Sequence, residues 1–122
     1  MKKIINIGNK ELTLKSSAYT VLAYKEETGK NLLEDLQKIS ELKISDDLTD
    51  EEQQKKLLVN IAPFMEMLLK LIYVMYKEAN KDAESFKDFC EGIDSLFDNV
   101  EWLQGVLELA VSPFSGTAQG SR

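Results

Sequence analysis

The sequence predicts a mainly α domain with a small N-terminal β-hairpin and about five helices, one long and kinked or broken near Pro63. Three observations predict it. Apolar residues alternate with polar ones around Gly8-Asn9, then change to a helical period after Lys15. The 122 residues suit one domain, because single cores commonly run to ~100–150 residues. A hydrophobic content of 43% is too high for a disordered chain and too widely spread for a pure coiled coil. Residues 1–114 therefore read as one domain (1–15 hairpin, 16–114 helical) and residues 115–122 as a flexible C-terminal tail.

The hairpin comes first. Ile5 and Ile7 alternate with polar neighbours, Gly8-Asn9 is a favoured two-residue turn, and Leu12 and Leu14 alternate again. A two-residue loop sets Ile7 opposite Lys10 and Ile5 opposite Leu12, which puts Ile5, Ile7, Leu12 and Leu14 on one face. Two strands alone are marginal in water, so that face must pack on helices or on another subunit.

Ser16-Ser17 then caps a helix from about Ala18 to Thr28, closed by Gly29 as the residue after the last turn. Asn31 opens a second short helix, with Glu34 as its capping-box partner and Leu32, Leu36 and Ile39 on its apolar side. From Ser40 to Glu52 acidic residues dominate, with Lys43 as the one base, and we expect a solvated loop ending at a Thr49 N-cap.

The third helix is the most informative element. Between Leu57 and Tyr76 only Asn60, Glu66 and Lys70 are polar, and they share one side of a helical wheel. Pro63 interrupts it, so a kink or break is expected near Asn60–Ala62. A fourth helix capped by Asp82 would carry Phe86, Phe89, Cys90, Ile93, Leu96 and Phe97 on one stripe, with Asp94 on its outer side. A fifth, started by Asp98 or Asn99, would carry Trp102, Leu103, Val106, Leu107, Ala110 and Val111 and stop at Pro113.

Composition excludes several kinds of chemistry. There is no histidine and a single cysteine, which removes Ser-His-Asp and Cys-His nucleophile systems, histidine zinc sites and an internal disulfide. Cys90 sits on an apolar stripe with nothing obvious to lower its pKa, so it reads as a structural thiol. The acidic residues of 46–52 lack the glycine and ligand spacing of a calcium loop, and Gly8 belongs to no phosphate-binding motif. The remaining carboxylates fall on outer faces rather than in an apolar cleft that would raise a catalytic acid. A net charge of −6 disfavours phosphate backbones, so nucleic acid is not an expected partner. Only Ile4, Ile5 and Ile7 follow the opening lysines, too few for a secretory h-region. The longest uninterrupted apolar run of the third helix is Leu71–Tyr76, too short to span a membrane. The chain is expected to be cytoplasmic, without a cofactor or metal, and not an enzyme.

What remains is protein binding. The apolar circumference of the third helix suits either the core of a single chain or a core that extends into an interface, for which methionine and aromatic residues give adaptable contacts. Met65, Met67, Leu68, Tyr73, Met75, Tyr76 and Trp102 are the expected interaction residues. Charge is also segregated: residues 1–31 hold six Lys against three acids and 34–54 two against eight, while 55–81 hold five against two and 82–101 one against seven. Such blocks can pair within the chain or between identical subunits, so a salt-sensitive homo-oligomer is expected.

A hairpin "KKIINIGNKELTLK", a helix "SSAYTVLAYKEETGKNLLEDLQKI", an acidic loop, a long apolar helix and a helix with Phe86, Phe89 and Cys90 follow in order. This layout resembles the tail assembly chaperones of long-tailed, siphovirus-type phages and prophages, over most of residues 1–114. The resemblance implies a small, mostly helical protein of the host cytoplasm that oligomerises and coats the tape measure protein, keeping it soluble until tail tube subunits polymerise. It implies no catalytic residues. In many members a frameshift adds a longer C-terminal form, which would join here at the segment "SPFSGTAQGSR". The rival reading is a small regulatory protein, of anti-repressor or inhibitor type, that sequesters a single protein partner at fixed stoichiometry.

Overall fold

The computed structural model describes residues 1–41, 51–96 and 101–115. Strand β1 (Lys2–Ile7) pairs antiparallel with β2 (Lys10–Lys15), with Ile7 opposite Lys10 and Ile5 opposite Leu12. Gly8 takes φ 56° in the turn, the left-handed region open to glycine at little cost. Ile5, Ile7, Leu12 and Leu14 are all buried on one face. Burial of a side chain of that size contributes about 1.5–3 kcal/mol, and the helices beneath supply the surface that a lone hairpin lacks.

Helix α1 (Ala18–Thr28) starts at Ser17, whose hydroxyl accepts the Tyr19 amide while Thr20 closes a capping box on the Ser17 amide. It ends at Gly29, with φ 74°. Helix α2 (Leu32–Ser40) starts at Asn31, whose side chain accepts the Glu34 amide; Leu32, Leu36 and Ile39 are buried as expected, and so is Asp35. The expected Thr49 cap lies outside the described residues.

The long apolar helix is broken at Pro63. Helix α3 (Glu51–Ile61) passes through a 3-10 turn (Ala62–Phe64) into α4 (Met65–Ala79). Proline cannot donate to the preceding turn, and a tighter turn absorbs the missing bond. Counting α3 and α4 as one broken helix, five helices follow the hairpin among the described residues. The second half of α4 is buried all round, from Leu71 to Met75, which makes it the central pillar. The stretch Glu51–Ala79 is long and apolar enough to cross a membrane by length and composition, but its α4 half is the middle of this core. Strand β2 and helix α1 lie against α4, and β1 lies against helix α6 (Glu101–Ser115). Asn80 ends α4 and uses its amide to donate to the carbonyls of Tyr76 (2.8 Å) and Thr13 (3.1 Å), tying the helix end to β2.

Three expectations are corrected. The helix expected from Asp82 is shorter: α5 covers Phe86–Glu91 and is capped by Ser85, whose hydroxyl accepts the Asp88 amide. The Glu84 carbonyl is taken by the Tyr73 hydroxyl at 2.6 Å, which competes with an earlier start. Ile93 and Leu96 follow the helix rather than ride on it, and Phe97 lies outside the described residues. Asp94 is not on a helix; it is held by the hairpin turn through Asn9.

Pro113 does not stop the last helix, which runs on through Ser115, the first residue assigned to the tail. A proline at 113 leaves the carbonyl of Leu109 without its helical donor. The Ser112 hydroxyl donates to that carbonyl at 2.8 Å, so the helix continues without an orphaned acceptor. Along α6, Trp102, Leu103, Val106 and Ala110 are buried as expected. Leu109 joins them, and Val111 is exposed instead. The expected starts at Asp98 or Asn99, and residues 116–122, lie outside the described residues.

Candidate functional site

The third correction concerns the expected interaction residues. Leu68, Tyr73, Met75 and Trp102 are buried within the single chain, so they belong to its core and cannot present a surface. Met65, Met67 and Tyr76 are half-buried and pack against that core. Their polar atoms have structural work. The Trp102 indole N–H donates to the Leu96 carbonyl at 2.8 Å, and the Tyr76 hydroxyl donates to the Glu84 carboxylate at 2.9 Å. Phe86 meets Tyr73 edge-on and Phe89 meets both Tyr73 and Tyr76 at a tilt, with ring centroids 4.8–5.3 Å apart. These rings hold α5 against α4.

Electrostatics around this cluster follow from the same contacts. A hydrogen bond from its own backbone, then one from the Tyr76 hydroxyl, holds the Glu84 carboxyl below its ordinary range. Burial, then Glu84, pushes Tyr76 up. Burial pushes the Cys90 thiol up, the opposite of what activates a thiolate nucleophile. Among the described residues no three His, Cys, Asp or Glu side chains are grouped to hold a metal ion.

The exposed apolar surface lies elsewhere, on segments that meet at one corner. The Met1 amino group donates to the Ser16 carbonyl at 2.7 Å, and the Ser16 amide donates back to the Met1 carbonyl at 2.8 Å. The Ser16 hydroxyl bonds the Ser112 hydroxyl at 2.7 Å, joining the start of α1 to the end of α6. Met1, Tyr19 and Leu22 are 69%, 56% and 62% exposed, and Val111 and Phe114, either side of Ser112, are 43% and 38% exposed. Five of the eight large exposed hydrophobic residues among those described therefore belong to the three segments that converge there. Single exposed apolar residues are ordinary; a concentration of them marks a contact surface.

Helix α1 is turned in an unusual sense. Its buried residues are Thr20 and Tyr24, while Tyr19 and Leu22 face water. The polar interior is satisfied from α4 and α2. Glu78 on α4 accepts from the hydroxyls of Ser17 and Thr20, the latter at 2.6 Å. The Tyr24 hydroxyl donates to Asp35 on α2 at 2.6 Å. The signal in the sequence was the run Ala18–Tyr24, apolar at every position but Thr20 and so apolar round the whole helix. Such a run has more apolar surface than one core-facing side, but periodicity alone cannot say which side is left outside.

Beside this corner a groove runs between α1 and α4. Tyr19, Ala23, Glu26 and Glu27 line it from α1, and Val74, Lys77 and Glu78 from α4. Its volume is about 250 Å³, below the ~300–1,000 Å³ of small-molecule sites. No protein family, curated protein or solved structure matches the chain.

Proposed function

We propose that the protein is a non-enzymatic tail assembly chaperone of a long-tailed phage or prophage. It acts in the host cytoplasm as a homo-oligomer and binds the tape measure protein, keeping that long helical client soluble during tail assembly. The observation that supports binding is the exposure of Met1, Tyr19, Leu22, Val111 and Phe114 on the three segments that converge at Ser16 and Ser112. A client with bare apolar helices needs a broad surface of this kind, on a carrier whose net charge of −6 maintains solubility. The resemblance in the order of hairpin, helices and acidic segment supplies the client's identity.

Co-expression with a tape measure fragment tests the proposal. The fragment should remain soluble with the intact protein and precipitate with a Tyr19→Ala, Leu22→Glu double variant. A fragment equally soluble without the protein would sink the chaperone reading. The mass of the complex separates it from one-to-one sequestration, because a coating chaperone binds in many copies along its client.

A further inference from the structure

The α1–α4 groove has a chemistry that the apolar corner beside it does not. Its floor is apolar, from Ala23 and the buried Val74, and Tyr19 stands at the junction with the corner. Three carboxylates, Glu26, Glu27 and Glu78, line it against one ammonium, Lys77. Lys77 is already committed: it pairs with Glu27 at 3.5 Å and lies 5.0 Å from the ring centre of Tyr73. Glu78 accepts hydrogen bonds from two hydroxyls, neither of which carries a charge to neutralise it. Glu26 has no hydrogen-bond or ion-pair partner among the described residues. The groove therefore holds two carboxylates without a compensating cation, beside an exposed aromatic ring and over an apolar floor.

We infer that this groove receives a lysine or arginine side chain of the bound partner, carried on an amphipathic helix whose apolar residues lie on Tyr19 and Leu22. The inference rests on the protein-binding reading of the corner, not on the identity of the client. A lysine or arginine stem is apolar and its head is charged, which matches a groove lined by Ala23 and Val74 together with the Glu26 and Glu78 carboxylates. An aromatic ring beside the path adds attraction for the cation. The volume suits one long side chain rather than a small-molecule ligand.

The test uses the full chain and two probes: an amphipathic helical peptide of leucine and lysine, and the same peptide with glutamate replacing lysine. Amide shifts in a two-dimensional NMR titration with the lysine peptide should concentrate on residues 19–27 and 74–78. The glutamate peptide should not bind. Glu26→Lys should weaken the lysine peptide about tenfold or more, the effect of one lost charge contact. Glu11→Lys, an equal charge change at an exposed position of β2, should shift affinity less than about twofold. Both variants alter exposed residues, and unchanged circular dichroism establishes that they fold. Shifts spread over the surface, or equal losses in both variants, would overturn the inference, because net charge alone would then explain binding. A tape measure fragment kept soluble equally by the wild type and Glu26→Lys would also overturn it while leaving the chaperone reading intact. A groove that behaves as described with no solubilised fragment would do the reverse.

Discussion

Asn9 and Asp94 exchange hydrogen bonds: the Asn9 amide donates to the Asp94 carboxylate at 3.1 Å, and the Asp94 amide donates to the Asn9 side-chain oxygen at 3.0 Å. The pair joins the hairpin turn to the chain after α5, across 85 residues of sequence. Gly8 makes that approach possible. A Cβ there would stand 2.3 Å from the Ser95 carbonyl oxygen and 2.7 Å from the Asp94 carboxylate, at a φ of 56° that other residues rarely adopt.

Breaking this latch should destabilise the fold in a graded way. Asp94→Ala removes the carboxylate that accepts the Asn9 amide, leaves the Asp94 backbone amide on the Asn9 side chain, and should cost about 0.5–1.5 kcal/mol. Gly8→Ala adds left-handed strain to a backbone clash and should cost about 2–4 kcal/mol. Urea denaturation measures both, and a Gly8→Ala variant as stable as the wild type would contradict the geometry.

Tyr24 and Asp35 make the most buried polar contact between helices α1 and α2, with Tyr24 fully inaccessible. Tyr24→Phe removes a hydroxyl that satisfies a buried carboxylate and should cost about 1.5–3 kcal/mol. Burial, and then Asp35, push the Tyr24 pKa far above its ordinary value. The folded state therefore keeps its phenol proton after the unfolded chain has lost it. Stability is fully present below about pH 10, the unfolded tyrosine value, and falls as pH rises above it. Tyr24→Phe should flatten that alkaline fall in denaturation curves, leaving the smaller share from Tyr76.

At the end of α6, Ser112 supplies the hydrogen bond that Pro113 withholds from Leu109. Ser112→Ala should cost about 1–2 kcal/mol, because it also deprives the buried Ser16 hydroxyl of its partner. Replacing Pro113 by alanine in that variant restores an amide donor at the right position. The double variant should regain part of the lost melting temperature, and no recovery would mean that the Leu109 carbonyl is not the issue.

Core and surface residues should separate cleanly. Leu68→Ala and Met75→Ala remove side chains with no exposure and should each cost about 2–5 kcal/mol. Leu22→Glu, at 62% exposure, should change stability by no more than about 0.5 kcal/mol while abolishing client solubilisation. Thermal unfolding beside the co-expression assay distinguishes the two kinds of loss.

The sequence by itself determined the elements whose causes lie within a few residues. The register of Ile5 on Leu12, the caps at Ser17 and Asn31, the stop at Gly29 and the break at Pro63 are local chemistry, and each stands where the chain predicts it. Tertiary structure decided the rest. Tyr73, by holding the Glu84 carbonyl, favours a late start for α5. Ser112 carries α6 past its proline, and Asn9 holds Asp94 off any helix. Glu78, 61 residues from Ser17, draws the polar side of α1 inward and leaves Tyr19 and Leu22 in water. The interaction surface expected on α4 is interior for the same reason: β2, α1 and α5 surround that helix. Hydrophobic periodicity measures how much of a helix is apolar, whereas the neighbours that cover it come from distant parts of the chain. Only their packing settles which apolar residues remain outside.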